Sequence, residues 1–251
     1  MIVLITGASA GFGASIARVL AAEGHRIIAA GRRADRLQAL AQEIGAEKVL
    51  PLVLDVTDRA AVAEAIAGLP PEWAEIDVLV NNAGLARGLS PAHQANLDDW
   101  ETMIDTNIKG LTYVTRAVLP GMVARDRGHV VNMGSVAGNW AYPGGNVYGA
   151  TKAFVRNFSL NLRSDLWGTK VRVTNVEPGL VSGTEFSTVR FDGDQAKAAN
   201  VYANTTPLTS EDVAETVRWV VSLPAHFNVN TIEIMPVVQA FAGLKVFKTE
   251  G

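Results

Sequence analysis

Short apolar runs rich in Val and Ile recur along the chain, and helix-like segments separate them. The runs carry almost no alternating polar positions, which is typical of strands that a parallel sheet buries on both faces. We therefore predict seven strands, at residues 2–6, 25–31, 48–55, 76–81, 129–135, 171–177 and 231–235.

The segments between these runs place apolar residues at helical spacing in an Ala-rich background. They predict helices at residues 13–23, 36–44, 60–67, 98–125, 148–167 and 211–222. Strand followed by helix, repeated, predicts right-handed crossovers and an α/β fold. We expect a Rossmann-type doubly wound parallel sheet of about seven strands with helices on both faces.

Pro51 lies within the third predicted strand, where it removes one backbone donor. An edge strand tolerates that loss, and the third strand is an edge in the 3-2-1-4-5-6 order of this fold. No linker or internal repeat interrupts the pattern. Residues 1–251 are therefore expected to form one domain.

Composition narrows the possible function classes. With 251 residues, 48% of them hydrophobic, the chain can bury a core large enough for a deep site. A net charge of −3 without a long basic run argues against a nucleic-acid partner. The chain has no cysteine, and its four histidines show no metal-ligand spacing, so we expect no metal site.

Targeting signals are also missing from the sequence. Met1 leads directly into the first strand, without a basic region or a cleavage site. The longest uncharged stretch, residues 128–151, contains six glycines and Pro143, which makes it a poor membrane helix. We expect a cytoplasmic protein that makes no membrane contact.

Three glycines follow the first strand, at positions 7, 11 and 13, directly before the first predicted helix. Such a turn lets backbone N–H groups approach a pyrophosphate at the helix N-terminus. The spacing departs from the commoner Gly-x-Gly-x-x-Gly, and a plain tight turn is the alternative. Its place directly after the N-terminal strand favours a dinucleotide site.

The residues after the second and third strands indicate which dinucleotide binds. Arg32 and Arg33 stand where an NAD-binding fold places a carboxylate for the ribose 2′-hydroxyl. Their guanidinium groups suit a 2′-phosphate, so we predict NADP, with a solvated helix start as the alternative. Asp55 and Val56 would contact adenine, or else cap the helix that begins near Asp58.

Tyr148 and Lys152 are four residues apart in a predicted helix and therefore share one face. A lysine ammonium in a poorly hydrated site can lower the pKa of a phenol from about 10 toward neutrality. Ser135 ends a buried strand, at the edge where open α/β sheets bind ligands. An exposed helix pair and a turn serine are the alternatives, but the position of all three within or beside the uncharged stretch favours proton-transfer chemistry.

Taken together, these residues resemble the short-chain dehydrogenase/reductase family over essentially the whole chain. The motifs that carry the resemblance are Thr6-Gly7-x-x-x-Gly11-x-Gly13, Asn81-Asn82-Ala83-Gly84, Asn107, Ser135, Tyr148-x-x-x-Lys152 and Pro178-Gly179. The resemblance implies an enzyme that moves a hydride between nicotinamide C4 and the carbon bearing a hydroxyl or carbonyl group.

The resemblance also implies a role for each catalytic residue. Tyr148 would be the general acid/base, and Lys152 would hold the nicotinamide ribose and depress the tyrosine pKa. Ser135 would bind the reacting oxygen, and Asn107 would help to hold a proton-relay water. With the residues argued above, the implied NADP site consists of Gly7, Ser9, Ala10, Gly11, Phe12, Gly13, Arg32, Arg33, Asp55, Val56, Asn82, Ala83, Gly84, Tyr148, Lys152, Pro178, Gly179, Val181 and Thr184.

Within the family, the chain is similar to the NADP-dependent 3-hydroxy acid dehydrogenases of bacteria. Residues 100–107, 144–156, 177–181 and 183–186 carry this similarity. It implies a short 3-hydroxy acid substrate such as L-serine, L-allo-threonine or 3-hydroxyisobutyrate. Arg87 departs from the subgroup, in which an apolar residue is expected, and a solvated loop residue is its alternative reading.

A substrate carboxylate beside an anionic cofactor needs a positive partner other than Lys152. We predict Arg190 in that role, on residues 183–205, which we expect to form a loop or lid on the substrate side. A solvated loop arginine is the alternative. The other residues that would bind the substrate are Ser135, Tyr148, Asn146 and Tyr142.

The resemblance also implies a homotetramer, in which residues 98–125 and 148–167 pair across two-fold axes and residues 237–247 pack on a neighbour. A frayed tail is the alternative for the last segment. Two other functions remain open: the same chemistry on a sulfonated aldehyde or a ketone, and a non-catalytic NADP-binding protein. The presence of both Tyr148 and Lys152 favours an enzyme.

Overall fold

The structure of the chain, a computed structural model, describes residues 1–241, in which seven parallel strands form one sheet. The strands are β1 (Ile2–Thr6), β2 (Arg26–Gly31), β3 (Val49–Val53), β4 (Val78–Asn81), β5 (Gly128–Met133), β6 (Val171–Pro178) and β7 (Thr231–Ile234). Their order is β3-β2-β1-β4-β5-β6-β7, and every neighbouring pair is parallel. The predicted doubly wound sheet is confirmed, with β7 extending it beyond β6.

Helices connect the strands and cover both faces of the sheet. They are α1 (Gly11–Ala22), α2 (Ala34–Ile44), α3 (Arg59–Ala67), α4 (Leu97–Ile104), α5 (Leu111–Ala124), α6 (Asn146–Asp165), α7 (Phe186–Arg190), α8 (Gln195–Asn200) and α9 (Ser210–Ser222). Within residues 1–241, no helix combines the length and the apolar composition needed to cross a bilayer.

Successive side chains of β1 pack alternately into two hydrophobic cores, one on each face of the sheet. Val3 and Ile5 of β1 pack with α1, α2 and α9, whereas Leu4 packs on the opposite face with α3, α5 and α6. All three side chains are fully buried. Burial on both faces explains why the strands read as continuous apolar runs.

Pro51 lies in β3 opposite Ala29 of β2, and β3 has a neighbour on one side only. The missing N–H of the proline therefore removes no bond that a second neighbour would need. The prediction that Pro51 marks an edge strand is confirmed.

The predicted helix at residues 98–125 is interrupted by a π-helical turn. The turn, Asp105–Gly110, lies between α4 and α5. A Cβ atom on Gly110 would lie 2.6 Å from Val56 Cγ2, so this glycine lets the widened turn approach the end of β3. Turns of this kind are frequent at functional sites, and this one carries the buried Asn107.

Two short helices, α7 and α8, lie in the segment 183–205, for which the sequence predicted a loop or lid. Neither helix is long enough to show a clear apolar period.

The chain runs outward from β1 to β3 and then crosses to β4, so the carboxyl ends of β1 and β4 border the crevice where such sheets bind ligands.

Candidate active site

The turn between β1 and α1 depends on close backbone packing. Gly7 has a φ of +67°, in the left-handed region that favours glycine. A Cβ atom on Gly13 would lie 2.4 Å from the Gly7 carbonyl oxygen, so a side chain there would push α1 away from the turn. The glycines at positions 7 and 13 therefore bring the N-terminus of α1 against the end of β1.

Helix α1 begins without a side-chain cap. Its N-cap residue is Ala10, and its first turn contains no acidic residue. A Cβ atom on Gly11 would lie 3.4 Å from the side chain of Thr184, so the start of α1 lies close to this neighbouring segment. A bare helix N-terminus with glycine at its start suits a phosphate group, which is what a dinucleotide requires here.

The turn after β4 is tied to the end of β1. The hydroxyl oxygen of Thr6 accepts hydrogen bonds from the backbone N–H groups of Asn82 and Ala83, at 3.0 and 2.9 Å. The Asn82 side chain donates to the Thr6 carbonyl oxygen at 2.9 Å. These bonds hold residues 82–84 beside the glycine turn.

Two arginines stand beyond the end of β2, on the rim of the same crevice. Arg33 donates from Nε to Ser9 Oγ at 3.1 Å and from Nη1 to Glu185 at 2.8 Å. Arg32 is more exposed and lies 3.9 Å from Asp55. The site therefore carries positive charge where the ribose 2′-position of a dinucleotide would lie.

Asp55 does not cap α3. Its carboxylate accepts hydrogen bonds from the backbone N–H and the hydroxyl of Thr57, whereas Asp58 is the N-cap of α3. The helix-cap alternative for Asp55 is therefore wrong, and Asp55 and Val56 are left lining the crevice.

These groups surround a cleft of about 340 Å³. The predicted residues that line it are Gly7, Ser9, Ala10, Gly11, Phe12, Arg32, Arg33, Asp55, Val56, Asn82, Ala83, Gly84, Tyr148, Lys152 and Thr184. Gly13 lies behind the lining and acts by packing against Gly7. Pro178, Gly179 and Val181 line the adjoining cavity instead.

Lys152 is buried on α6 and donates from Nζ to the Met133 carbonyl oxygen at 2.8 Å. Burial lowers the pKa of Lys152 to about 8. Its Nζ lies 5.9 Å from the centre of the Tyr148 ring. The hydrogen bond to Met133 fixes the Lys152 side chain at the end of β5.

The pKa of Tyr148 differs from the sequence-based prediction. Burial raises the pKa of Tyr148 to about 12, although a hydrogen bond with Ser135 and the charge of Arg190 act in the opposite direction. Desolvation of the phenol outweighs the attraction of nearby positive charge. The predicted contribution of Lys152 to this pKa stays a prediction. Tyr148 is therefore a protonated phenol at neutral pH.

Ser135 and Asn107 each hold part of the backbone around Tyr148. Ser135 Oγ accepts from the Ala137 N–H at 3.1 Å, which starts the short 3-10 turn Val136–Gly138. The Asn107 side chain exchanges hydrogen bonds with the backbone N–H and carbonyl of Leu85 and donates to Thr151 Oγ1 at 3.0 Å. With these partners, the Asn107 side chain positions the loop after β4. Its predicted role in holding a relay water stays a prediction.

A second cavity of about 450 Å³ adjoins the cleft, and Tyr148 and Phe186 line both. Arg190 lines this cavity and donates from Nη2 to the Tyr142 hydroxyl at 2.7 Å and from Nε to the Gly88 carbonyl at 3.3 Å. Ser135 also lines this cavity. Among residues 1–241, the second cavity thus combines a mainly apolar lining with the guanidinium group of Arg190.

Asn146 was predicted to bind the substrate, but the structure does not place it in the substrate cavity. Its side-chain amide donates to the Ser90 carbonyl oxygen at 3.1 Å, and it is not among the residues that line either cavity. Arg87 also lies outside the lining, and it pairs with Asp192 at 2.6 Å. This ion pair supports the alternative reading of Arg87 as a loop residue.

Sequence reasoning missed Glu185 and Arg36. Glu185 lines the cleft and accepts from Arg36 at 2.7 Å in addition to Arg33. No local pattern connects an acid at position 185 with arginines at positions 33 and 36, because only the fold brings the segments together. Residues 1–241 contain no cluster of three or more His, Cys, Asp or Glu side chains arranged to hold a metal ion.

Comparison with known proteins gives consistent matches. Residues 1–195 match the short chain dehydrogenase family. The chain is 66% identical over 249 residues to the NADP-dependent 3-hydroxy acid dehydrogenase YdfG of Salmonella typhi, covering 99% of this chain and 100% of the relative. It is 51% identical over 246 residues to a serine 3-dehydrogenase of Rhizobium radiobacter, covering 98% of each.

A solved structure agrees with these sequence matches. The closed form of a serine dehydrogenase complexed with NADP+ is 63% identical to this chain and superposes with a TM-score of 0.98. The match covers 99% of this chain and 100% of the solved chain.

Proposed function

The chain belongs to the short-chain dehydrogenase family, and on that premise we propose that it is an NADP-dependent oxidoreductase acting on a short 3-hydroxy acid. The observation that carries this proposal is the position of Tyr148. Its side chain lies where a cleft with arginines at its rim meets a cavity that contains Arg190. Tyr148 would thus stand between a dinucleotide in the cleft and an acidic substrate in the cavity.

The residues of the cleft fit NADP. The bare N-terminus of α1 and the glycine turn would hold the pyrophosphate, and Arg32 and Arg33 would hold the 2′-phosphate. Asp55 and Val56 would contact the adenine, and Lys152 would bind the nicotinamide ribose. When bound, NADP supplies the hydride acceptor or donor at C4 of its nicotinamide.

Tyr148 would move the proton of the reaction. In the reduction of an oxo acid, the protonated phenol gives its proton to the carbonyl oxygen as the carbon receives the hydride. In the oxidation of a hydroxy acid, the phenolate takes the hydroxyl proton. Because burial raises the pKa of Tyr148 to about 12, oxidation is expected to accelerate as the pH rises, and reduction to be favoured at lower pH.

Arg190 would bind the substrate carboxylate. The hydrogen bonds to Tyr142 and Gly88 use two of the five N–H donors of its guanidinium, so donors remain for an anion. Its charge also lies 5.5 Å from the centre of the Tyr148 ring. A carboxylate bound to Arg190 would therefore lie close to the proton donor, as a short 3-hydroxy acid requires.

We expect the double variant Arg32→Ala, Arg33→Ala to lose most of its preference for NADP over NAD. Charge-assisted bonds to one phosphate correspond to a preference of about 10- to 10⁴-fold in the unmutated protein. The measurement is kcat/KM with each cofactor. Arg127→Ala is the control, because Arg127 pairs with Asp77 at the amino ends of β4 and β5, away from the cleft. Equal kcat/KM for both cofactors in the unmutated protein would contradict NADP selectivity.

We expect the methyl ester of 3-hydroxyisobutyrate to react at least about tenfold more slowly than the free acid, because the ester cannot accept a charge-assisted pair of bonds from Arg190. Arg190→Ala should narrow this gap by lowering kcat/KM for the acid. Arg87→Ala is the matched control, since this arginine lies on a nearby loop and pairs with Asp192. Comparable kcat/KM for acid and ester would instead favour a general carbonyl reductase.

The assembly of the protein is a further part of the proposal. Leu160 on α6 and Trp167 just after it are 40% and 83% exposed, which leaves apolar surface on the helix predicted to pair with a second copy. Of the predicted C-terminal packing segment, residues 242–247 lie outside the described residues.

The lack of cysteine also fits the predicted cytoplasmic location.

We expect light scattering to give a mass near four times the 26.7 kDa of the chain, because the resemblance implies a homotetramer. Trp167→Ser should shift this mass toward smaller species if that apolar surface lies in an interface. A mass near 26.7 kDa for the unmutated protein would contradict the assembly.

A further inference from the structure

Glu185 forms a two-armed ion pair across the opening of the cleft. One carboxylate oxygen accepts from Arg33 at 2.8 Å and the other from Arg36 at 2.7 Å. The two guanidinium groups hold the pKa of Glu185 below its usual range, so the carboxylate is charged at neutral pH. Glu185 is therefore available to both arginines as an anion.

The two ends of this bridge belong to different parts of the site. Arg33 and Arg36 lie at the start of α2, and Arg33 lines the part of the cleft proposed to bind the 2′-phosphate. Glu185 is the N-cap residue of α7, whose first residue, Phe186, packs 5.6 Å from Tyr148 between ring centres. The last residue of α7 is Arg190. The bridge thus joins the cofactor rim to the helix that carries the proposed substrate anchor.

The bridge is compatible with a bound phosphate. Arg33 uses one N–H donor on Ser9 and one on Glu185, which leaves three of its five donors. Arg36 has only the one bond to Glu185 among residues 1–241. The two arginines therefore have enough donors to hold Glu185 and a phosphate together, so binding of NADP would not require the bridge to break.

We propose that Glu185 is a positioning residue that fastens residues 183–205 over the cleft, retaining NADP and holding Arg190 at the substrate cavity. The part of this inference that concerns NADP rests on the proposed function, whereas the fastening of the segment does not. The side chains of Arg33, Arg36 and Glu185 are 39–45% exposed, so each ion pair is weak enough to open during turnover. Glu185 is thus expected to set how fast the segment opens.

The first test uses the protein without cofactor. Trypsin can cut the segment 183–205 only after Arg190 and Lys197. In Glu185→Gln, cleavage at these two sites should be about three- to tenfold faster than in the unmutated protein, because two weak ion pairs are lost. Glu43→Gln is the matched control, since Glu43 forms a two-armed pair with Arg18 on α1, away from the cleft. Equal cleavage rates in all three proteins would overturn the fastening.

The second test measures NADPH dissociation by stopped-flow displacement of the fluorescent reduced cofactor. Glu185→Gln should release NADPH about three- to tenfold faster, Glu185→Asp should largely restore slow release, and Glu43→Gln should match the unmutated protein. Slower release from Glu185→Gln would show that the carboxylate competes with the phosphate and would overturn the proposal. Unmutated protein that holds NADH as tightly as NADPH would count against the cofactor assignment, while the trypsin result would still decide the fastening.

Discussion

The geometry of the site depends on how closely α6 approaches the turn after β5. A Cβ atom on Gly138 would lie 2.7 Å from the Lys152 carbonyl carbon, and one on Gly149 would lie 2.9 Å from the Ala137 carbonyl oxygen. The bond from Lys152 Nζ to Met133 closes the same contact. Because Ser135 starts this turn and Tyr148 and Lys152 lie in the first two turns of α6, the contact fixes all three relative to one another. Larger residues at positions 138 or 149 would separate them.

Burial also shifts the pKa values of the two titratable residues on this part of α6. Tyr148 and Lys152 are both buried, and burial moves their pKa values in opposite directions, up to about 12 for the phenol and down to about 8 for the ammonium. Each shift favours the neutral form, as desolvation requires. The site thus holds a phenol that stays protonated at neutral pH, and the positive charge of Arg190 lowers its pKa against the effect of burial.

The sequence predicted the order of the sheet, the glycine turn and the positions of Ser135, Tyr148 and Lys152, because these depend on local periodicity and on short motifs. It could not predict the π-helical turn around Asn107, since the closeness of Gly110 to Val56 comes from tertiary packing. The raised pKa of Tyr148 has the same origin, because the depth of burial is not visible in a motif. Asn146 donates to Ser90 instead of lining a cavity, and Glu185 joins the cleft only because distant segments meet there.

We propose that Tyr148 transfers the proton while other residues hold the cofactor. The most direct measurement is Tyr148→Phe, with kcat for a short 3-hydroxy acid and the Kd of NADPH determined on the same preparation. The account predicts a fall in kcat of about 10²- to 10⁴-fold with little change in Kd, because the phenyl ring keeps its packing against Phe186 and only the hydroxyl is lost. Retention of more than about a tenth of the unmutated kcat would show that another group carries the proton and would contradict the account.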